Sequence, residues 1–163
     1  TVLAQQVPIY QRNFIKAAPN GQFSMDKWDA YTVARDRLQK KLVETKAPNP
    51  IALSGDVHLH YGADLKLNYD DPNSPTIGTG FTGTSISSNG DGTDVAANWE
   101  PTKSDNPHIK YHSGRRGYVA VTATPATMRA DFKILDKVTE RGAPAKLGGS
   151  LVVEAGQTGA KIA

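Results

Sequence analysis

The sequence has no cysteine among its 163 residues, and this absence excludes three kinds of chemistry. Without thiols the chain cannot form a disulfide, bind zinc through thiolates or use a cysteine as a nucleophile. Residues 1–6 have neither the basic start nor the apolar stretch of a signal peptide. The sequence also lacks an apolar run approaching the roughly 20 residues that span a bilayer, so we expect no membrane-spanning helix.

An excess of one charge is also missing. The chain has 19 Lys and Arg against 16 Asp and Glu, a formal net charge of +3. The basic residues are scattered, with short pairs at Lys40-Lys41 and Arg115-Arg116. A nucleic-acid-binding surface needs many phosphate contacts on one face, so we expect no nucleic-acid-specific binding. A mildly basic chain remains compatible with a small anionic substrate.

The 15 glycines and ten prolines indicate many turns and a β-rich fold with long loops. The length fits one domain or a large piece of one. One helix is predicted at about residues 25–43, with Ser24 as its cap and Pro48 preventing its continuation. Spacings close to multiples of 3.6 give this helix one apolar stripe. The stripe consists of Trp28, Tyr31, Leu38 and Leu42.

A helix followed by a short loop and a buried strand is an αβ unit, so the fold class is predicted as α/β (α+β) with a mixed sheet. A hairpin turn is predicted at residues 125–127, and residues 89–106 are predicted to form a long polar loop. Strands are predicted at residues 1–10 before Pro8, and at 51–58, 64–69, 76–88, 118–124, 128–138 and 150–154.

The most informative segment is Gly55-Asp56-Val57-His58-Leu59-His60. Alternate side chains of an extended strand share a face, so Asp56, His58 and His60 are predicted to project together where an apolar strand ends. Carboxylate with imidazole suits zinc, iron or manganese. The ends of strands are also where α/β proteins place their sites. Chance alternation gives the same pattern, so spacing alone leaves both interpretations open.

A second candidate is the arginine pair Arg115-Arg116, which stands beside glycines. A guanidinium can hold two phosphate oxygens, and a nearby glycine lets the backbone approach the ligand. The segment also contains His108 and His112. A solvated basic loop whose tyrosines pack on the sheet explains the same residues, so the residue types do not decide between the two.

A third candidate is Asn89-Gly-Asp-Gly-Thr-Asp94, followed by Glu100. Its oxygen donors resemble the spacing of an EF-hand loop, but Asp94 stands where that loop needs glycine. A solvated turn explains the segment as well. An alternative function therefore stays open, a non-catalytic β-rich calcium- or carbohydrate-binding module that uses this loop and exposed aromatics such as Trp99.

A series of short motifs extends along nearly the whole chain. One is the helix with Trp28-x-x-Tyr31, Arg35 and Leu38. The other motifs are Leu3-Ala-Gln-Gln-Val7, Leu53-Ser-Gly-Asp-Val-His58, Gly83-Thr-Ser-Ile-Ser-Ser88, Asn106-Pro-His-Ile-Lys110, Arg116-Gly-Tyr-Val119, Thr124-Pro125, Arg129-Ala-Asp-Phe132 and Val153-Glu-Ala155. In their order these motifs resemble one known family, the PhoD-like alkaline phosphatases.

The resemblance implies that residues 1–163 are the C-terminal half of a metallophosphoesterase αββα sandwich. Such enzymes hydrolyse phosphomonoesters and phosphodiesters with a metal cluster of iron and calcium, and they are secreted or periplasmic. The resemblance places Asp56 and His58 on the metals and makes His60 a further candidate ligand. Arg116 lies in a family motif and is expected to bind the substrate phosphate.

The family's earlier metal ligands are expected before this segment, and they are absent from it. The chain also begins without Met, directly in apolar sequence. We therefore expect the missing N-terminal portion of the same enzyme to be a partner, either on the same chain or as a separate one, and the isolated chain to be inactive. An exposed apolar face on the first strands is expected for the same reason.

Overall fold

The computed structural model describes residues 1–15 and 21–163, which form three layers. Its mixed sheet has the strand order β1-β2-β4-β3-β6-β7-β8-β9, with the short β5 paired to β6. The helices are α1 (Thr32–Glu44) and α2 (Trp99–Thr102). The strands are β1 (Val2–Ala4), β2 (Ile51–Ser54), β3 (His60–Lys66), β4 (Thr76–Thr82), β5 (Gly92–Thr93), β6 (Ile109–Ala123), β7 (Thr127–Leu135), β8 (Lys146–Glu154) and β9 (Lys161–Ile162).

Strands β1, β2 and β4 run parallel, and every other pair of neighbours runs antiparallel. The connection from β1 to β2 passes through α1, as parallel pairing requires. The predicted mixed sheet with a flanking helix is therefore confirmed. In the part of the chain that is described, no helix is long and apolar enough to cross a membrane.

The 15-residue strand β6 belongs to two layers of the structure. Its first part pairs with β3, where Ser113 lies opposite His60, and its last part pairs with β7 from Arg116 onward. Strands β7 and β8 then pack face to face against β2, β3 and β4. A Cβ on Gly62 would lie 2.1 Å from Leu151 Cδ1, so a larger residue there would force the Leu151 side chain to move. The core between the layers contains Ile51, Phe81, Ala130, Phe132, Leu151, Val153 and Ala160.

The opposite face of the β1-β2-β4-β3 layer packs under α1, α2 and the chain before α1. Successive side chains of β2 point to opposite faces of the sheet, so Ala52 contributes to the core on this side and Ile51 to the core between the layers. Trp28 and Leu38, from the predicted apolar stripe, pack against this core. Its buried members are Ile9, Tyr10, Ala52, Tyr61, Ala63, Leu65, Ile77, Trp99 and Ile109.

The predicted helix at 25–43 is shorter at its start, because α1 begins at Thr32 after a separate 3₁₀ turn at Trp28–Ala30. Ser24 donates to Asp26 instead of capping a helix. The reason is tertiary: Asp29 accepts the Arg12 backbone N–H at 2.9 Å and forms a buried ion pair with Arg35. These contacts hold the first turn away from the α-helical path.

The buried face of α1 also differs from the prediction. Arg35 and Gln39 are the buried residues of the helix, and Tyr31, assigned to the apolar stripe, is 63% exposed. Gln39 Nε2 donates to the Tyr69 hydroxyl at 3.3 Å, and the Arg35 guanidinium lies 5.1 Å from the Tyr69 ring centre. Side-chain hydrogen bonds and a cation–π contact therefore attach this helix to the sheet alongside apolar packing.

Most predicted strands exist with different ends. The hairpin at 125–127 is confirmed, with the Thr124 N–H donating to the Thr127 carbonyl at 2.8 Å. The predicted loop at 89–106 contains β5 and α2. The strand predicted at 51–58 is wrong in its second half, because β2 ends at Ser54.

Three of the four histidines are buried or half-buried and are neutral at ordinary pH. Burial lowers the pKa of His60, His108 and His112, each to about 4. Each ring is fixed by backbone: His108 Nε2 lies 2.7 Å from the Gln11 carbonyl, and His112 Nε2 accepts the Ala96 N–H at 3.0 Å. Protonating any of them in place would put an uncompensated charge inside the protein.

These histidines predict that stability falls with acid. Their pKa values are depressed in the folded state, so between about pH 6.5 and 4 the unfolded chain binds more protons. The free energy of unfolding should therefore decrease as pH falls through this window, by up to about 1.4 kcal/mol per pH unit for each histidine. Urea unfolding measured from pH 7.5 to 4.5 tests this, and the His108→Gln variant should have a slope smaller by about one proton. A free energy that stays constant from pH 7 to 5 would contradict the prediction.

Gly117 gives a second stability prediction. Its φ is +150°, and an added Cβ would lie 1.9 Å from the Lys133 carbonyl oxygen in β7. Gly117→Ala should therefore destabilise the fold by about 3 kcal/mol, because one strand has to move. The matched control is Gly142→Ala, which has φ +93° but no atom within 4 Å of the added Cβ. Thermal unfolding of both variants decides, and equal losses would show that the β7 contact is unimportant.

Candidate functional site

The candidate site lies where the three parallel strands end. Strands β1, β2 and β4 present their carboxyl ends at the same edge of the sheet, which is where ligands bind in open α/β sheets. The Gly55 N–H donates to the Gln6 carbonyl at 3.1 Å, and the Gly83 N–H donates to the Ser54 carbonyl at 2.9 Å. The loops after the three strands are therefore joined side by side.

The segment Asp56–His58 is not extended, so the prediction that three side chains share one strand face is wrong. Asp56 has φ +72°, and the Val57 N–H donates to the Gly55 carbonyl at 2.9 Å, the pattern of a classic γ-turn. His58 has φ +55° and is left-handed as well. Left-handed non-glycine residues cost of order 1–3 kcal/mol each and cluster at functional sites. The alternating sequence pattern does not predict a positive φ at either residue.

Asp56 lies at the surface of this edge with its side chain one-third exposed. Its carboxylate pairs with the ammonium group of Lys27, which comes from the chain before α1. Burial alone would lower the pKa of Lys27, but its hydrogen bonds to Asp56 and Asp26 raise that pKa overall. The sequence analysis missed Lys27, because no local pattern signals a contact between residues 29 positions apart.

His58 is half-buried, and its imidazole has no hydrogen-bond partner within residues 1–15 and 21–163. Its backbone is held instead, because the Arg116 guanidinium donates from Nη1 to the His58 carbonyl at 2.5 Å. The side chain of His58 is thus available to a ligand while its main chain is fixed.

His60 lies apart from the other two candidates. It is the first residue of β3 and is 0% exposed, with its ring edge-on to Phe132 at 5.5 Å between the layers. Nε2 lies 3.3 Å from the Lys133 carbonyl, and Nδ1 has no hydrogen-bond partner among the residues that the structure describes. The structure therefore does not bring His60 to the surface with Asp56 and His58. Its role as a metal ligand stays a prediction.

Arg116 was expected to face a phosphate, but its side chain is engaged within the protein. The residue is 5% exposed. Besides the His58 carbonyl, its Nε donates to the Gly90 carbonyl at 3.0 Å and its Nη1 to Thr84 Oγ1 at 3.3 Å. Arg115 pairs with Asp94 on the surface instead. The phosphate contact of Arg116 stays a prediction, although these bonds compete with it.

The loop considered for calcium is occupied by protein contacts. Asp91 accepts the Val138 N–H at 2.7 Å and the Thr139 N–H at 2.9 Å, which lowers its pKa. The carboxylate of Asp94 accepts from Arg115. Trp99, taken as an exposed aromatic, is 5% exposed and packs 4.7 Å from the His112 ring. The expectation of an exposed Trp99 is therefore wrong, because the tryptophan belongs to the core.

The residues whose chemistry fits a metal ion are Asp56 and His58, one carboxylate and one imidazole separated by Val57. Within the described residues there is no group of three or more His, Cys, Asp or Glu side chains that could hold a metal. The donor chemistry thus fits a metal, while the number of donors falls short of a complete site.

Comparisons with known proteins agree with the motif order. Residues 1–132 match the PhoD-like phosphatase family. The chain is 37% identical over 158 residues to alkaline phosphatase D of Bacillus subtilis (strain 168), covering 97% of this chain and 27% of that protein. A solved structure described as the structure of PhoD superposes with a TM-score of 0.90 at 36% identity, covering 99% of this chain and 31% of that one.

The share of each relative's length that this chain covers is smaller than the motifs predicted. The chain spans less than a third of either relative, so it corresponds to a C-terminal part of their fold smaller than the half expected from the motifs. The site edge of the sheet lies wholly inside the matched residues. This chain belongs to the PhoD-like phosphatase family.

Proposed function

We propose that this chain is part of a metal-dependent phosphomonoesterase and phosphodiesterase of the alkaline phosphatase D type, in which it supplies late metal ligands. One observation carries the proposal: Asp56 and His58 stand in two strained left-handed conformations at the carboxyl ends of parallel strands. Strain of this kind persists only where surrounding contacts impose it, and it clusters at functional sites. This supports a functional role for both side chains. Family membership makes a phosphate ester the expected substrate.

In this proposal Asp56 and His58 bind metal through the carboxylate and the imidazole. Bound metal ions supply positive charge that acidifies a water molecule and neutralises the charge developing on the phosphate ester. Asp56 would release Lys27 to hold the metal, and His58 would hold it through a ring nitrogen, since its imidazole has no hydrogen-bond partner among the described residues. Iron with calcium is the metal set that the resemblance suggests, and a secreted or periplasmic location has the same basis.

Two donors are too few for a metal pair, so the remaining ligands come from outside the described residues. We propose the N-terminal portion of the same enzyme as their source, and residues 1–163 as the C-terminal portion of one catalytic domain. The low coverage of the longer relatives supports this.

Two uncovered surfaces also support a larger enzyme. Strand β1 lies at the edge of the sheet with a strand partner on one side, among the described residues, and Val2 on it is 52% exposed. Beside the site a groove of about 320 Å³ carries exposed Ile86, Tyr118 and Val121. Exposed apolar surface next to an open sheet edge is typical of a surface that other chain segments cover.

The binding-module alternative has less support. Within its loop, Asp91 accepts backbone N–H groups and Asp94 pairs with Arg115, and its aromatic Trp99 is buried. A calcium or sugar ligand would have to break these contacts before it could bind. No described feature favours that function over phosphoester hydrolysis.

Glycine substitutions test the two proposed ligands at positions whose positive φ favours glycine. Asp56→Gly and His58→Gly remove the side chain and relieve a left-handed conformation, so the free energy of unfolding should change by no more than about 1 kcal/mol. In the natural enzyme that contains this chain, each variant should lose at least about 100-fold in p-nitrophenyl phosphate turnover and bind less metal.

Lys46→Gly is the matched control for these variants, because Lys46 is also left-handed, with φ +50°, and exposed after α1. It should keep turnover and metal content. Elemental analysis and steady-state kinetics give the answer. Near-normal metal and turnover in both site variants would overturn the proposed function.

The chain by itself should be nearly inactive. Among the described residues there is no group of three or more donors that could hold a metal ion, so we expect weak metal binding and negligible hydrolysis of p-nitrophenyl phosphate with added iron and calcium. Circular dichroism on the same sample verifies that the chain is folded during the assay. Robust turnover by the folded chain alone would refute the prediction.

A further inference from the structure

Arg116 joins the two loops that flank the site through one guanidinium. Nη1 donates to the His58 carbonyl at 2.5 Å and to Thr84 Oγ1 at 3.3 Å, and Nε donates to the Gly90 carbonyl at 3.0 Å. The first acceptor belongs to the loop after β2, and the other two belong to the loop after β4. A planar fork of N–H donors can make such divergent contacts, whereas an ammonium group acts as a point charge.

The backbone beneath Arg116 is anchored on both sides. Arg115 pairs with Gly92 of β5, and Arg116 pairs with Leu135 of β7. The next residue, Gly117, donates its N–H to the Ser85 carbonyl at 3.2 Å, which attaches the loop after β4 at another point. The guanidinium therefore extends from a strand that is paired on both sides, and its hydrogen bonds restrain the loops after β2 and β4.

The position of Gly92 closes the remaining side of the guanidinium. A Cβ on Gly92 would lie 3.1 Å from Arg116 Nη2 and 3.2 Å from its Cζ, so the Gly92 backbone covers the group directly. With 5% of the residue exposed, a bidentate phosphate contact would require the existing bonds to break. One of these bonds holds the main-chain carbonyl of His58 in place.

We propose that Arg116 is a positioning residue that holds the left-handed His58 main chain, and through it the His58 imidazole, in the geometry that binds metal. This rests on the proposed function of Asp56 and His58 as metal ligands. The contact acts on the carbonyl of the very residue whose ring is unpaired, and His58 has φ +55°. Groups that orient a ligating side chain typically alter metal affinity and activity when they are replaced.

The test uses Arg116→Lys in the natural, metal-loaded enzyme that contains this chain. Lysine keeps the charge but cannot make the three bonds. We expect metal affinity, measured by competition with EDTA and elemental analysis, and kcat each to fall about 10- to 100-fold. The KM for p-nitrophenyl phosphate and the inhibition constant of inorganic phosphate should stay within about threefold, since the charge that a phosphate senses is retained.

Arg115→Lys is the matched control, because Arg115 pairs with Asp94 at the surface and its Nη1 donates to the Asp136 carbonyl. It should leave all four quantities unchanged. A raised KM and a weakened phosphate inhibition in Arg116→Lys, with unchanged metal affinity, would show a substrate contact and overturn the proposal. Unchanged metal affinity and kcat would overturn it as well.

If Arg116→Lys fails to fold, Thr84→Val decides, because it removes one acceptor of Nη1 and keeps the side-chain shape. Metal affinity lower by about threefold with unchanged KM supports the proposal, and unchanged affinity rejects it. Asp56→Gly and His58→Gly are measured in parallel. If these two keep their metal, the proposed function fails; if they lose it while the Arg116 and Thr84 variants do not, the positioning role alone fails.

Discussion

Strand β6 forms hydrogen-bond ladders with β3, β5 and β7 along one continuous 15-residue run, so a single backbone carries both layers of the sheet. The core between the layers depends on this strand, because β7 and β8 reach Ile51 and Phe81 only after β6 has carried the chain across. Arg116 stands where β6 passes from one partner to the next. The same residue that continues the sheet therefore also reaches the loops at the site edge.

The site combines a rigid support with a strained segment. Asp56 and His58 are held in conformations that an unsupported loop would leave, and the restraints come from different elements: Gln6 on Gly55, Lys27 on Asp56 and Arg116 on His58. Because each restraint belongs to a separate part of the chain, the geometry is established only when the whole fold has formed. Local sequence alone does not produce it.

These long-range restraints explain which features could be predicted from the sequence and which could not. Most strands and the hairpin at 125–127 follow from short-range patterns, and motif order identified the family. The prediction that Asp56, His58 and His60 share one face was wrong, because side chains alternate only on an extended strand and β2 ends before Asp56. The start of α1 was misplaced for a similar reason, since a buried ion pair of Asp29 outweighs its helix propensity.

The open side of β1 has a consequence for how assembly is observed. Backbone amides that point away from β2 meet solvent on that edge, so they should exchange hydrogen quickly even though the neighbouring strand is deeply covered. Any segment that adds to this edge would slow their exchange at once. The Gln5 N–H bonds the Leu53 carbonyl, so by alternation the amides that face away from β2 are those of Val2 and Ala4, and their exchange is a local reporter of whether a further segment has added to this edge.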